Sequence, residues 1–348
     1  MHVTFCAIIH LKSLSFFCNY AYAIQCTQAL LQHNQHSLHI MKEVDNRPFL
    51  KRLKYTLLFW LVKSLIFITE KLPRPVVYFV YGGLGKLAYY VAGEPRRRAI
   101  KNLTIVFGKE KTEEEIKAIT KKMFMNLGKN LATVMRVFPM ENLDQFYKQV
   151  RIIGKENLDA AYAKGKGVVL LTAHIGAFEI LGTFIGLNYK SIMVGTKLKD
   201  PRLDDLIVRS RSKGGSKYVH RGENTLQLMR SLKEGRVMII LIDQDTKVKS
   251  RFVEFMGVPA ATPVGATMIA LKSGADIVPV IVQMDEHDNQ TITCMPALEI
   301  TKSSDAEQDL LDNTLRMNQA VDAFIRKDPS QWVWMHERFK TKPGEEIM

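Results

Sequence analysis

Two short runs constrain the fold of this chain more than anything else in it. Gly167-Val-Val-Leu-Leu-Thr-Ala173 and Arg236-Val-Met-Ile-Ile-Leu-Ile242 are apolar almost throughout, with no alternation of polar residues. A strand wetted on one side alternates, whereas a strand covered on both faces does not, so both runs read as buried strands. Helical patterns alternate with them. Thr112-Glu-Glu-Glu115 is a capping box, and Ile116, Ile119, Met123, Leu127, Leu131 and Val134 recur behind it at helical spacing. The spacing predicts further helices over Phe178–Leu187, Asp204–Arg211, Asn224–Glu234 and Asp305–Lys327. It predicts further strands over Ser191–Gly195, Tyr218–Arg221, Ile277–Gln283 and Thr291–Ile300. Such alternation indicates an α/β fold, a mixed and mostly parallel sheet flanked by helices. Phe252–Pro263 reads as an apolar loop opening into a helix. Its aromatics and methionine suit the lining of an acyl-chain groove, or simply a cover for the sheet.

The amino-terminal part has a different character. Residues 1–40 carry a single charged side chain, Lys12, yet hold three of the 4 cysteines and five of the 9 histidines. The basic start of a signal peptide is missing, and Met41, followed by charged residues, reads as the more natural beginning. Lys51-Arg-Leu-Lys54 then precedes the apolar run Tyr55–Thr69, and a second apolar stretch covers Val76–Ala92. The first run is short and interrupted by Lys63, which suits a helix lying in a membrane interface; the alternatives are a spanning helix and two buried helices of a soluble domain. The cationic Arg96-Arg-Arg98 segment is placed to meet anionic head groups. The expected organisation is an atypical extension over 1–40, a hydrophobic membrane-associating segment over 41–95, and the α/β domain over 96–348.

The formal charge of +14 fits anionic membranes, acidic proteins or nucleic acid. There is no zinc-finger spacing and no long arginine tract, so nucleic acid is disfavoured. The cysteines form no disulfide framework, which places the catalytic half in a reducing compartment.

The first buried strand ends at His174, and Glu179 follows five residues later across Gly176-Ala177. An imidazole at the carboxyl end of a strand lies where open α/β sheets bind ligands. With a carboxylate to orient it and no nucleophile of its own, it suits deprotonation of a substrate hydroxyl. In a chain with 9 histidines and 35 acidic residues the bare spacing arises about 0.9 times by chance, so the strand-turn-helix context carries the reading. The alternative is a core histidine beside a solvated glutamate. Arg221 opens a loop before a helix and is suited to clamping a phosphate or carboxylate, or to a surface ion pair. Asp243 and Asp245 follow the second buried strand, either at a site edge or on turn duty. Asp243 is also placed to hold a cation such as Arg221.

Taken in order, His174-x4-Glu179, Arg221, Asp243-Gln-Asp245, Phe255-Met-Gly-Val-Pro-Ala-Ala261, Gly274-Ala-Asp-Ile-Val-Pro279 and Gln331-Trp-Val-Trp-Met-His336 with Arg338 and Lys340 form a series. This series resembles the bacterial lipid A biosynthesis acyltransferases, the late lauroyl and myristoyl transferases. It covers roughly Arg96 to Lys340, and the terminal Gln-Trp-x-Trp-x-His pattern is far more specific than the His-Glu pair. The resemblance implies a glycerolipid-acyltransferase-like sheet with an N-terminal hydrophobic anchoring helix, at the cytoplasmic face of the bacterial inner membrane. It implies acyl carrier protein as donor and partner, a phosphorylated, anionic glycolipid as acceptor, and no cofactor or metal. His174 would take the acceptor's proton and Glu179 would orient the ring. Arg221, Asp243 and Asp245 would stand on the substrate side. Backbone N–H groups around Gly176 would stabilise the oxyanion. Cousins that acylate other glycolipids or glycerolipids leave the acceptor more open than the chemistry. Two rival readings are a metal hydrolase, with His220 or His336 joining His174 and Glu179, and a non-catalytic membrane scaffold.

Overall fold

The computed structural model describes residues 48–220 and 225–345. The expectations for residues 1–40 and for Arg221 lie outside the described residues. Nine strands are described: β1 (Val150–Ile153), β2 (Val168–Thr172), β3 (Ser191–Gly195), β4 (Lys217–His220), β5 (Val237–Leu241), β6 (Ser250–Phe255), β7 (Val258–Pro263), β8 (Asp276–Met284) and β9 (Gln290–Cys294). Seven of them form one sheet in the order β1-β9-β8-β2-β5-β3-β4, and β6 and β7 form a separate hairpin. Neighbours in the large sheet are parallel except β8 and β9.

The two apolar runs become adjacent central strands, β2 and β5, as full coverage on both faces requires. Val168 and Leu170 point into a core shared with Phe146, Leu158 and Phe184 from the helices on one side. Val169 and Leu171 point the other way, into a core with Leu232, Ala266 and Ala270. Alternate residues of one strand thus serve two hydrophobic layers. The mixed, mostly parallel α/β architecture is therefore present. The capping box also forms, with Thr112 Oγ1 accepting from Glu115 N and Glu115 Oε2 from Thr112 N.

Two expected elements differ. The strand expected over Thr291–Ile300 ends at Cys294; Pro296 has no N–H for the ladder, although Met295 N and Leu298 N still donate to Pro279 O and Ile277 O of β8. The loop expected over Phe252–Pro263 is the β6–β7 hairpin. Its turn residues Met256 and Gly257 have φ of 56° and 79°, the left-handed pair that matches the twist of a tight hairpin. Met256 lacks the usual Asn or Asp signal, and its N–H is anchored instead by Asp322 Oδ2 at 2.7 Å.

Helices Phe49–Lys71, Arg74–Val91 and Gly93–Phe107 precede the sheet. Among the described residues no helix is long and apolar enough to cross a membrane. The chain divides into two compact units, the smaller holding the helix start up to Val62 with Leu198–Leu206 and the larger holding Lys63–Lys197 and the chain from Ile207. Within the smaller, Arg202 donates to Asp200 Oδ2 (3.1 Å) and Thr56 Oγ1 (3.2 Å), and lies over the Phe59 ring. Within the larger, helix Arg74–Val91 packs backbone to backbone on helix Glu113–Val137: a Cβ on Gly85 would meet Phe124 O at 2.2 Å, and one on Gly128 would meet Tyr81 O at 2.0 Å. Its opposite face leaves Val76, Phe79, Val80, Leu84, Leu87 and Tyr90 exposed.

Candidate functional site

The pairing of β2 with β5 builds the site. Thr172 lies opposite Leu241, and two residues further along each chain stand His174 and Asp243. Asp243 Oδ1 is 2.9 Å from His174 Nδ1, and Oδ2 accepts the His174 backbone N–H at 2.8 Å. Trp332 Nε1 donates to the same Oδ2 at 2.6 Å. Asp243 is completely buried. Burial alone would raise its pKa, but the His174 charge and the hydrogen bonds from His174 and Trp332 outweigh it and bring the carboxyl down to about 2. An ionised Asp243 holds the proton of a neutral His174 ring on Nδ1 and leaves the lone pair on Nε2.

Glu179 is not at the ring. Its Oε2 accepts from Arg211 Nη2 at 2.7 Å. Burial of Arg211 works against its charge, but Glu179 and Tyr218 more than compensate, and the guanidinium pKa is raised. This ion pair borders an otherwise apolar cleft that also takes in Thr172, Phe178, Gly182, Met193, Ile239 and Leu241. Phe178 links the cleft to His174, its ring centroid 4.8 Å from that of the imidazole. The buried Thr172 Oγ1 has no hydrogen-bond partner among the described residues.

The Gly176 backbone does not offer the expected oxyanion donor. Its φ is 59°, and a Cβ there would meet Val282 O at 2.3 Å, so only glycine fits. Its N–H donates to Gln331 O at 2.9 Å. The N–H groups of Ala177, Phe178 and Glu179, just before helix Ile180–Asn188, have no protein acceptor among the described residues.

Asp245 accepts from both Thr341 N (2.7 Å) and Thr341 Oγ1 (2.9 Å), tying down the carboxyl-terminal segment. That segment completes the site. Val333 N donates to His174 O, and Ile175 and Trp332 form an antiparallel bridge. Beyond it, the His336 ring lies 4.9 Å from the His174 ring. Gln244 Nε2 lies against both rings, 3.0 and 3.4 Å from Nε2 and Nδ1 of His174 and 2.8 and 3.2 Å from Nε2 and Nδ1 of His336. Burial, followed by His174, pushes the His336 pKa down to about 4. Arg338 is fully buried, donating to Ala261 O and Thr262 Oγ1 of the hairpin and lying 4.4 Å from the centre of the Phe255 ring. Burial lowers its pKa to about 10, against the pull of Asp243, Asp245 and Asp322.

The structure therefore joins His174 to Asp243 and places Glu179 and Asp245 with other partners. Trp332 and Gln244 lie beside His174 without having been assigned from the sequence, and His336 had entered only as a ligand in the metal-hydrolase reading. Their only signal was membership of the Asp243-Gln-Asp245 and Gln331–His336 runs.

The family described as "Bacterial lipid A biosynthesis acyltransferase" matches residues 46–341. Among curated proteins, the chain is similar to the lipid A biosynthesis lauroyltransferase of Escherichia coli (strain K12), 28% identical over 82% of this chain and 92% of that protein. It is 26% identical to the lipid A biosynthesis palmitoleoyltransferase of the same organism, over 82% of this chain and 91% of that one. It is also 26% identical to the lipid A biosynthesis myristoyltransferase of that organism, over 75% and 80%.

Proposed function

We propose that this chain, which belongs to the bacterial lipid A biosynthesis acyltransferase family, moves a fatty acyl chain from an acyl-carrier-protein thioester to a hydroxyl of a lipid A precursor. The observation that carries the reading is the His174–Asp243 pair at the carboxyl ends of two neighbouring parallel strands. His174 Nε2 takes the proton as the acceptor oxygen attacks the thioester carbonyl. The carbon–sulfur bond then breaks, and His174 returns the proton to the departing thiolate. Asp243 holds the tautomer and stabilises the imidazolium, the part the acid plays in a Ser-His-Asp triad. No serine or cysteine is required, because the thioester is already activated.

The unpaired amides of Ala177 to Glu179 replace Gly176 as oxyanion donors in this scheme. The apolar cleft beside Phe178 suits the reacting end of an acyl chain, and the Arg211–Glu179 pair gives it one polar border. The exposed apolar face of helix Arg74–Val91 and the positive net charge support attachment to an anionic membrane surface. An acidic carrier protein and a phosphorylated acceptor suit the same charge.

The test is mass spectrometry of lipids after incubation with acyl-carrier-protein thioesters and a phosphorylated lipid A precursor. The reading expects one added acyl chain with the wild type and none with His174→Ala. Hydrolysis of the thioester without acceptor acylation, or equal transfer by His174→Ala, would overturn it.

A further inference from the structure

We propose that Thr172 is a further catalytic residue, its hydroxyl donating a hydrogen bond to the carbonyl oxygen of the acyl group as the acceptor attacks. The inference rests on the reading of this site as one for acyl transfer from a thioester. Thr172 closes β2 opposite Leu241 of β5 and is 1% exposed. Its Oγ1 meets no donor or acceptor among the described residues. Buried hydroxyls are nearly always paired, because burial without a partner forfeits the hydrogen bonds that water gave. An orphan of this kind two residues before His174 marks a place where a ligand atom completes the pairing.

The cleft that Thr172 lines narrows the choice of that atom. Leu181, Met193, Ile239 and Leu241 make it apolar, and its two charged members, Arg211 and Glu179, are paired with each other at 2.7 Å. Among the described residues Thr172 carries the only hydroxyl in the lining. The free volume is about 70 Å³. A water molecule needs about 10–15 Å³ of such space, so on the order of five atoms fit, which is the reacting end of an acyl group and not its whole chain. The one oxygen that such an end carries is the thioester carbonyl, an acceptor. The hydroxyl is therefore the donor.

Two relationships tie this cleft to the chemistry. His174 follows Thr172 by two residues, about 7 Å along an extended chain, and Phe178 both lines the cleft and lies 4.8 Å from the imidazole, ring to ring. The N–H groups of Phe178 and Glu179, which have no protein acceptor among the described residues, belong to the same lining. Thr172 thus comes from the sheet and these amides from the turn before helix Ile180–Asn188. As the acceptor oxygen adds to the carbonyl carbon, its proton passes to His174 and the carbonyl π pair moves onto the oxygen. Thr172 keeps its own proton. Its hydrogen bond strengthens as negative charge grows, so it favours the transition state over the bound thioester. When the carbon–sulfur bond breaks, the pair returns to the carbonyl.

The experiment uses the full chain in detergent micelles with an acyl-carrier-protein thioester labelled with 13C at the carbonyl and no acceptor, read by isotope-edited infrared difference spectroscopy. A hydrogen bond lowers a carbonyl stretch. Wild type should hold the labelled band below its position in the free thioester. Thr172→Val, which puts a methyl in place of the hydroxyl, should return it part of the way, and Thr172→Ser should keep it low. In steady-state transfer Thr172→Val should lose about 10²-fold in kcat with KM little changed, and Thr172→Ser should retain most of the activity. The Tm of Thr172→Val should equal or exceed that of wild type, since no hydrogen bond within the protein is lost; a merely structural hydroxyl would lower both. An identical carbonyl band in wild type and folded Thr172→Val would overturn the proposal. So would a defect confined to donors that carry a hydroxyl on the acyl chain, which would make Thr172 a reader of the chain. A lowered band in a wild type that acylates no acceptor would count against the proposed function alone, whereas a wild type that binds no thioester would sink both.

Discussion

His174 and Asp243 stand level with one another because β2 and β5 run parallel with Thr172 opposite Leu241, and each residue lies two positions past that pair. The relationship is a matter of register. A slip of one residue between the strands would carry Asp243 off the imidazole and reverse the faces of β5.

Asp243→Asn keeps the shape of the side chain but offers the imidazole a neutral amide in place of a carboxylate. Loss of the tautomer control should reduce kcat by about 10³–10⁴-fold, with circular dichroism unchanged. Steady-state acyl transfer checks this, and a loss below tenfold would remove Asp243 from the role given to it.

Glu179→Gln should be much milder, within about tenfold in kcat, because Glu179 is paired with Arg211 rather than with the ring. The expected change is in KM for the acyl donor, since the pair borders the apolar cleft. A defect in kcat equal to that of Asp243→Asn would mean that Glu179 reaches the imidazole during turnover.

Asp322 gives a pH signature in stability. Burial raises its carboxyl pKa to about 6, against hydrogen bonding from Met256 N and the charges of Arg338 and Arg326. The folded pKa lies above the unfolded one, so between about pH 4 and 6 the unfolded state binds fewer protons and stability falls as pH rises. The stability it contributes is complete below about pH 4 and lost above about pH 6, a difference of about 3 kcal/mol at most. Asp322→Asn, which can still accept from Met256, should raise Tm at pH 8 and leave it nearly unchanged at pH 4. Equal effects at both pH values would contradict this.

Phe79 is 82% exposed and Leu87 57% exposed on the outer face of helix Arg74–Val91. Replacing both with glutamate should leave the packed face untouched and lower partitioning onto anionic vesicles at least tenfold in a flotation assay, since it removes apolar area and adds like charge. Unchanged partitioning would move the attachment surface elsewhere.

The central sheet was legible because β2 and β5 lack alternation, a pattern that only full coverage explains. The β6–β7 hairpin was not, since its turn is Met256-Gly257 and its stabilising partner, Asp322, lies 66 residues away. The imidazole was legible from its place at the end of β2. Its carboxylate was misassigned to Glu179 because that residue is local, whereas the Asp243 contact depends on strand order, which the runs themselves do not specify. Gln244 and His336 meet across a sequence separation of 92, again a product of topology and not of spacing.

The tie between Trp332 and Asp243 has a consequence for biogenesis. Asp243 is burdened with a fully buried charge, and one of its three donors arrives 89 residues later in the chain. A nascent chain on the ribosome that has already folded β2 and β5 holds the base and its carboxylate without Trp332, without the Val333 strap across His174, and without His336. The Gln331–Arg338 segment, made after both strands, bridges Ile175 and holds the hairpin through Arg338, so a fragment that ends before Gln331 is expected to lack the finished His174–Asp243 surroundings.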